Sequence, residues 1–275
     1  MTRPSFCLLA ALTLLCAPAL AQRGASACLA GKETALVAGV TGALDLLLGD
    51  GRVIRLAGLE RLSETPAART LAERSRLEHW LVEKEVSLTP LSPKPDRWGR
   101  TPAHVFASPA PGEQPLSVAE AIADAGLARV FPIGEGRPCL AALLRAEDRA
   151  RKSRSGLWAD PARAVIDPHD TKALKAQAGA FVIIEGRVSR VGEGRQRFYI
   201  DFSGAWGGFS ASVIKRNALA FDSAGRPLKS LIGRQIRIRG ILETRFRPEI
   251  EITTPEEIEF IESSDESVNN SPPVK

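Results

Sequence analysis

Near its C-terminal end, the chain alternates basic residues with apolar ones. Arg237 and Arg239 flank Ile238 in a β-like run, so both guanidinium groups are expected on one face of a strand. Upstream, Trp206 stands in a glycine-rich stretch where its ring could stack on a base. Basic side chains beside exposed aromatic rings suit single-stranded nucleic acid. The pattern predicts a nucleic-acid-binding surface at these three residues, and it fits at least as well a half-buried sheet with one solvated basic side.

The overall composition is compatible with a polyanionic partner but does not require one. The chain carries 37 Lys and Arg residues against 32 Asp and Glu residues, a formal net charge of +5. With 44% hydrophobic and 25% charged residues, it resembles an ordinary globular protein. The histidines, His79, His104 and His169, show no ligand spacing, and no Cys/His cluster suggests a zinc site.

The first 21 residues have the features of a secretory signal peptide. Arg3 precedes an apolar run over residues 6–15, and an Ala-Leu-Ala sequence ends at Ala21. The apolar run is too short to span a bilayer as a permanent helix. We therefore expect cleavage near Ala21 and a secreted or periplasmic protein.

Two of the four cysteines, Cys28 and Cys139, follow this leader. In an oxidising compartment the natural expectation is a disulfide that joins them. The alternative is two buried free thiols.

The order of elements after the leader predicts a fold that is mainly β with helices. A first domain over residues 29–161 is expected to be a small antiparallel barrel with helices packed on it. Its predicted elements are strands at 35–40, 44–48, 52–56, 86–88 and 103–106, and helices at about 65–83, 118–125 and 140–152. Ser117 and Glu120 form a capping-box pattern that predicts the start of the second helix.

A second domain is predicted after a linker or short connecting helix at 162–178. Residues 179–262 contain about five strands, at 181–191, 196–202, 209–214, 234–242 and 250–261, with glycines between them. Five strands at this spacing suggest a second small barrel of the OB type. The remaining residues, 263–275, form an acidic tail with the composition of a disordered segment.

Several segments of the first domain resemble the staphylococcal nuclease (thermonuclease) family. They occur in the family's order and at family-like separations. The segments are Asp50-Gly51-Arg52-Val53-Ile54-Arg55-Leu56-Ala57-Gly58-Leu59-Glu60, Asp96-Arg97-Trp98-Gly99-Arg100-Thr101, Ala125-Gly126-Leu127-Ala128-Arg129-Val130 and Ser155-Gly156-Leu157-Trp158. The resemblance implies an OB-type barrel with three helices. In active members, calcium and two arginines hold a phosphodiester while a glutamate activates the water that cuts DNA or RNA.

The resemblance assigns roles to four residues that follow the first strands. Arg55 and Arg100 fall on the two catalytic arginines, whose planar forks can each hold two phosphate oxygens. Glu60 stands where the family has an aspartate ligand of calcium, and it could instead be the ion-pair partner of an arginine. Glu64 lies one residue beyond the position of the catalytic glutamate, which Ser63 occupies. Glu64 is therefore either a general base or a carboxylate that stabilises the start of a helix.

The first strand departs further from the family pattern. Leu44 aligns with an aspartate ligand, and the adjacent Asp45 would point to the opposite face of a regular strand. A turn of different length could bring Asp45 back to the metal side. The expected metal ligands are thus Asp45 and Glu60, and calcium is the expected ion.

Two functions follow from this pattern. One is a secreted protein that binds nucleic acid phosphates, with weak or altered calcium-dependent phosphodiesterase activity. The other is a catalytically inactive binding or assembly module of the cell envelope that reuses the nuclease fold. Whether the chain is an enzyme depends on the site, because a fold alone does not determine activity.

Overall fold

A computed structural model describes residues 31, 33–60, 67–110, 112–132, 138–203 and 208–261. The predicted leader at 1–21 and the predicted tail at 263–275 lie outside these residues. So do three predicted site residues, Cys28, Glu64 and Trp206. No helix in the described part of the chain combines the length and the apolar character that a membrane span needs.

The first domain is a closed five-stranded barrel with three helices. Its elements are β1 (Glu33–Val40), β2 (Leu46–Leu48), β3 (Val53–Leu56), α1 (Ala67–Leu81), β4 (Glu85–Pro90), β5 (Arg100–Ala107), β6 (Leu116–Ser117), α2 (Val118–Asp124) and α3 (Leu140–Lys152). The strands pair in the order β3-β2-β1-β4-β5-β6, and a parallel pairing of β3 with β5 closes the barrel. The predicted mainly β class with packed helices is confirmed.

Alternation of apolar residues places the barrel core. Leu46, Leu48 and Ile54 point inward and are almost fully buried, whereas Leu47 between the first two is exposed. This is the period of two that a strand with one buried face requires. At the predicted start of α2, the Ser117 side chain accepts a hydrogen bond from the backbone N–H of Glu120, as the capping pattern predicts.

Two of the family-like segments meet at a pair of glycines. Gly126 and Gly156 both have positive φ, 68° and 55°. A Cβ atom on Gly126 would lie 2.2 Å from the Ser155 carbonyl oxygen, and one on Gly156 would lie 2.3 Å from the Gly126 carbonyl oxygen. Only glycine fits at both positions, so the turn after α2 and the turn after α3 can pack directly on each other.

The second domain consists of two small sheets with helices at their edges. Its elements are α4 (Thr171–Ala176), β7 (Phe181–Arg187), β8 (Arg190–Glu193), β9 (Arg197–Asp201), β10 (Ser210–Ile214), α5 (Lys215–Ser223), β11 (Gln235–Ile241), β12 (Glu249–Ile252) and β13 (Ile258–Phe260). One sheet has the order β12-β10-β9-β8 and the other β13-β11-β7. The five predicted strand regions are confirmed, and α5 is a helix that the sequence pattern did not predict.

The chain crosses between these sheets at Val188 and Ser189. The Val188 N–H donates to the Arg234 carbonyl oxygen in one sheet, and the Ser189 N–H donates to the Asp201 carbonyl oxygen beside the other. The predicted strand 181–191 is therefore two strands, β7 and the start of β8, which belong to different sheets. The segment predicted as a linker also packs on this domain, since Ile166 pairs with Ile184 and Leu174 is fully buried.

A buried arginine joins the two domains. Arg239 of β11 is only 1% exposed, and its Nη1 lies 2.8 Å from the Glu147 carboxylate on α3. The same Nη1 donates to the Val130 carbonyl oxygen at 3.0 Å, and Nη2 lies 3.0 Å from Glu259. Glu147 in turn accepts the Val130 N–H at 2.7 Å. The pair thus holds both backbone polar groups of Val130, which satisfies them in a site without access to water.

This contact corrects the prediction that Arg237 and Arg239 form a nucleic-acid-binding surface. Both share one face of β11, as their alternation predicts, but that face is buried. Arg237 donates to Glu185 and to Glu259, so its guanidinium is also engaged by carboxylates. The alternative prediction, a half-buried sheet with a solvated basic side, is also wrong. The first domain covers Arg239, and neighbouring strands supply partners for Arg237.

Apolar contacts surround the ion pair. Phe181 of β7 packs edge-on against Phe131, with ring centroids 5.2 Å apart. Ala150 and Trp158 of the first domain share a buried cluster with Phe181 and Ile183 of the second. The domains are therefore joined by a small core, and the ion pair lies beside it.

We predict that Arg239→Met lowers the free energy of unfolding by about 3–5 kcal/mol, because it leaves the Glu147 charge buried without a partner. Denaturant unfolding of the whole chain measures this loss. Arg149→Met is the matched control, since Arg149 forms an exposed ion pair with Asp124. We expect the control to change stability by less than about 1 kcal/mol. Equal effects of the two substitutions would contradict a stabilising role for the buried pair.

We also predict that stability falls as the pH drops below about 6.5, the ordinary pKa of histidine. His104 lies buried in β5, and burial lowers its pKa. The unfolded chain therefore takes up the proton first, and stability is lost by up to about 1.4 kcal/mol per pH unit towards the folded pKa. His104→Gln removes this titration, so unfolding measured from pH 7.5 to 5 should show a weaker pH dependence. An unchanged pH dependence in the variant would contradict this account.

Candidate functional site

Arg100 is held by a tight turn between β4 and β5. One oxygen of Asp96 accepts the backbone N–H groups of Trp98 and Arg100, at 2.9 and 3.0 Å. The other oxygen accepts Nε and Nη2 of the Arg100 side chain, at 3.1 and 2.5 Å. Gly99, with φ of 78°, lets the chain turn between them. The Asp96 carboxylate therefore fixes both the turn and the direction of the guanidinium group.

Arg55 lies on the same face of the barrel as Arg100. In the parallel pairing of β3 and β5, Val53 is opposite Arg100 and Arg55 is opposite Pro102. Paired residues of neighbouring strands share a face, and Ile54 between them points into the core. From the strand spacing and the rise per residue, the two arginine Cα atoms are roughly 8 Å apart. The two arginines thus lie on the outer side of the same part of the barrel wall, where the Arg100 side chain is largely buried.

Asp45 joins this pair of arginines. Its Oδ2 lies 3.6 Å from Nη1 of Arg100. Asp45 immediately precedes Leu46, which pairs with Ile54, so Asp45 lies opposite the position of Arg55. Leu44 before it has a φ of 63° and is buried. The turn therefore places Leu44 in the core and Asp45 on the outer face, which is the change of register that the sequence left open.

Glu60 forms an ion pair with a different arginine, Arg129. Its two carboxylate oxygens accept Nε and Nη2 of Arg129 at 2.6 and 2.8 Å. Arg129 is 4% exposed and stacks 4.9 Å from the centroid of Phe181 in the second domain. Burial raises the pKa of Glu60, and the hydrogen bonds from Arg129 oppose this rise. Of the two expected roles of Glu60, the structure fits the ion-pair partner and not the calcium ligand.

The described residues do not form a metal centre. Among them, no group of three His, Cys, Asp or Glu side chains converges in a way that could hold a metal ion. Asp45 and Asp96 both contact Arg100, whose positive charge offsets theirs. Calcium binds best to several oxygen ligands at once. The residues in place therefore do not fit the calcium ion that the resemblance implies.

The arrangement is suited to holding an anion. Asp96 occupies Nε and Nη2 of Arg100, which leaves Nη1 directed towards Asp45. The 3.6 Å contact between Nη1 and Asp45 is longer than a hydrogen bond. A phosphate oxygen could replace it with a shorter, charge-assisted bond, while Arg55 on the same face supplies a second guanidinium.

The sequence did not single out Arg129, although it stands in one of the family-like segments. Its partner Glu60 is 69 residues away in the chain, so no local spacing relates them. Cys139 is buried at the start of α3. Since Cys28 lies outside the described residues, the disulfide remains a prediction.

Comparison with known families agrees with this geometry. The family described as "Staphylococcal nuclease homologue" matches residues 67–160. The first domain is staphylococcal-nuclease-like. The matched range contains Arg100 and Arg129, whereas Arg55 and Glu60 precede it. The matched range therefore covers α1 to α3 and β4 to β6 of the first domain, and Glu60, which precedes it, is bound to Arg129.

Solved structures resemble a part of the chain at low identity. An OBody, AM1L10, bound to hen egg-white lysozyme is 20% identical, with a TM-score of 0.24, over 32% of this chain and 85% of that one. Asparaginyl-tRNA synthetase from Pyrococcus horikoshii is 16% identical, with a TM-score of 0.27, over 37% of this chain and only 24% of that one. No curated protein matches the chain.

We predict that calcium does not stabilise the protein and that Glu60→Gln destabilises it by about 3 kcal/mol, because Arg129 would lose its buried partner. Thermal unfolding with and without calcium measures both effects. The calcium concentration is 10 mM, about ten times the dissociation constant of the weakest usual calcium sites in proteins. Glu78→Gln is the control, since Glu78 forms an exposed ion pair with Arg74. A calcium-dependent rise in Tm that Glu60→Gln abolishes would contradict the ion-pair role.

Proposed function

We propose that this protein binds nucleic acid through its phosphate groups, at the barrel face that carries Arg55 and Arg100. The supporting observation is the turn in which Asp96 fixes the Arg100 guanidinium on the face shared with Arg55. A guanidinium held in place loses little conformational freedom when it binds, so more of the interaction free energy appears as affinity. We further propose that the chain is exported, with cleavage near Ala21.

Catalysis is the weaker part of the proposed function. Hydrolysis in the family depends on a metal and a base, and the Glu60 carboxylate is bound to Arg129. Of the two expected calcium ligands, only Asp45 then remains on the barrel face that carries Arg55 and Arg100, which we call the arginine face. Glu64 remains the expected base. Loss of one group that acts on the transition state commonly slows a reaction by about 100- to 1,000-fold. Because the described residues do not fit calcium, we propose nucleic acid binding as the main function and expect any calcium-dependent cleavage to be at least that much slower than in an active family member.

A second candidate function is a catalytically inactive binding module of the cell envelope. The Glu60–Arg129 ion pair favours it, because a carboxylate needed for a metal has become part of the structure. This candidate shares the arginine face with the first. The two differ in turnover, which an activity assay separates.

We predict that Arg55→Gln and Arg100→Lys each weaken binding to single-stranded DNA and RNA by about 5- to 30-fold, whatever the sequence. Arg100→Lys keeps the charge beside Asp96 and removes the planar fork. Fluorescence anisotropy at several salt concentrations measures affinity. The slope of the logarithm of the binding constant against the logarithm of the salt concentration counts the ions released on binding, and Arg55→Gln should lower that number by about one. Arg149→Lys on the exposed surface of α3 is the control. Unchanged affinity in both site variants would contradict the proposed interface.

Activity is tested on the same substrates with and without calcium. Weak cleavage that needs calcium, and that both Arg100→Lys and Glu64→Gln abolish, supports the enzyme. Binding without any cleavage supports the inactive module. Cleavage that neither substitution affects comes from a contaminant.

A further inference from the structure

Four basic side chains lie at one end of the three-stranded sheet of the second domain. Arg187 ends β7, and Arg234 directly precedes β11, which pairs with β7. The Arg187 Nη1 donates to the Gly233 carbonyl oxygen at 2.6 Å, so the two arginines share one turn. Arg226 and Lys229 lie in the segment that leads into this turn. We call these four residues the basic end.

The basic end has no carboxylate partner in the described part of the chain. None of its four side chains forms an ion pair with a described Asp or Glu residue. By contrast, two other exposed cations of the domain, Arg190 and Lys215, bind Asp201 and Glu193. The Arg226 guanidinium hydrogen-bonds to two backbone carbonyl groups, which carry no net charge. The four positive charges are therefore not neutralised by direct contact with a described carboxylate.

The described chain ends at the basic end. The Ile261 N–H donates to the Gln235 carbonyl oxygen at 3.0 Å, so the last described residue lies beside the start of β11. Gln235 is also the partner of Arg187 across the sheet. One residue before Ile261, the Phe260 ring centroid lies 5.3 Å from the Arg226 guanidinium carbon. The segment that follows therefore begins next to these cations.

This following segment carries the opposite charge. Residues 262–275 lie outside the described residues, and their first five positions include Glu262, Asp265 and Glu266. The basic residue of the segment, Lys275, stands nine positions after the last of these carboxylates. Five residues span at most about 17 Å, so the three carboxylates stay near the basic end. Groups joined by so short a connection meet at an effective concentration of about 1 mM or more.

We propose that the carboxylates of residues 262–266 dock on the basic end and shield it from other polyanions. A single exposed ion pair is weak, but a short acidic segment tethered beside four cations can form several. Nucleic acid phosphates would compete for the same cations, so docking keeps them away from this end of the protein. The inference stands apart from the arginine face, because the basic end belongs to the second domain and shares no residue with that face.

Carbodiimide cross-linking of the full chain tests the docking directly, because the reagent joins an amine to a carboxylate in contact with it. Lys229 supplies the amine at the basic end. At about 20 mM salt, we expect mass spectrometry to find Lys229 joined to Glu262, Asp265 or Glu266. The yield should fall at about 0.5 M salt, where the Debye length shortens to about 4 Å.

Two double variants test which cations hold the segment. Arg187→Gln with Arg234→Gln keeps Lys229 and should slow its cross-linking by about 2- to 30-fold, the equivalent of about 0.2–1 kcal/mol per exposed ion pair. Lys172→Gln with Lys175→Gln is the matched control, since it removes two exposed charges from α4 of the same domain. The control should cross-link at the wild-type rate. All four substituted side chains are exposed, so both variants are expected to fold, and circular dichroism checks this.

Shielding is measured by the binding of single-stranded DNA to the full chain, with fluorescence anisotropy at about 0.15 M salt. Glu262→Gln, Asp265→Asn and Glu266→Gln together should raise affinity by about 4- to 15-fold, the counterion-release gain of one or two phosphate contacts. The same three changes should raise affinity much less in the Arg187→Gln, Arg234→Gln background, because two of the uncovered cations are then missing.

The outcomes separate this inference from the proposed function. Absence of a Lys229 cross-link, or an equal rate in the Arg187→Gln, Arg234→Gln variant, overturns the docking. A cross-link between isotope-labelled and unlabelled chains shows that the segment of a second copy is the occupant, and it overturns the proposal too. An equal rise in DNA affinity in both backgrounds contradicts the shielding. If Arg55→Gln and Arg100→Lys weaken DNA binding while Lys229 stays unlinked, the arginine face stands and this inference fails.

Discussion

The buried ion pair between Glu147 and Arg239 is the contact on which the rest of the structure depends. It joins α3 of the nuclease-like domain to β11 of the second domain, and both side chains are 1% exposed. Two charges removed from water are tolerated only when their remaining polar atoms also have partners. Here the backbone of Val130 and the carboxylate of Glu259 supply them. Removing Arg239 would leave the Glu147 carboxylate buried without an opposite charge, so the contact between the domains requires both partners.

Backbone contacts of Val130 and Arg129 connect the buried ion pair to the segment that follows β3, the strand that carries Arg55. Val130 forms a bridge with Leu59, and the Glu60 N–H donates to the Arg129 carbonyl oxygen at 2.8 Å. The segment that leaves β3 is thereby fixed to the same piece of chain that Arg239 holds. Phe181 of the second domain contacts Arg129, which binds Glu60. The second domain therefore stabilises the arrangement in which Glu60 is the ion-pair partner of Arg129. The family resemblance predicts a metal ligand at position 60, but in this arrangement both carboxylate oxygens of Glu60 bind Arg129 instead.

The sequence predicted the barrel and its strands because their signals are local. Alternation placed Leu46, Leu48 and Ile54 in the core, and the Ser117 pattern marked the start of α2. It missed α5, a nine-residue helix in which only Phe221 is fully buried, because one anchoring residue makes too weak a periodic pattern. The position of Asp45 depended on the turn before it, which the residue types alone did not determine.

The larger differences concern partners that are distant in sequence. Alternation correctly put Arg237 and Arg239 on one face, but it carries no information on what packs against that face. Glutamate at position 60 suits a metal and an arginine equally well, so its residue type could not decide between them. In both cases the deciding contact comes from an element far along the chain, Glu147 for Arg239 and Arg129 for Glu60.

A crystal structure of the protein with a short single-stranded oligonucleotide tests the central claim most directly. The account predicts one backbone phosphate with oxygens about 3 Å from the guanidinium nitrogens of Arg55 and Arg100, in place of the Asp45 contact. An oligonucleotide bound elsewhere, with Asp45 still facing Arg100, would contradict it.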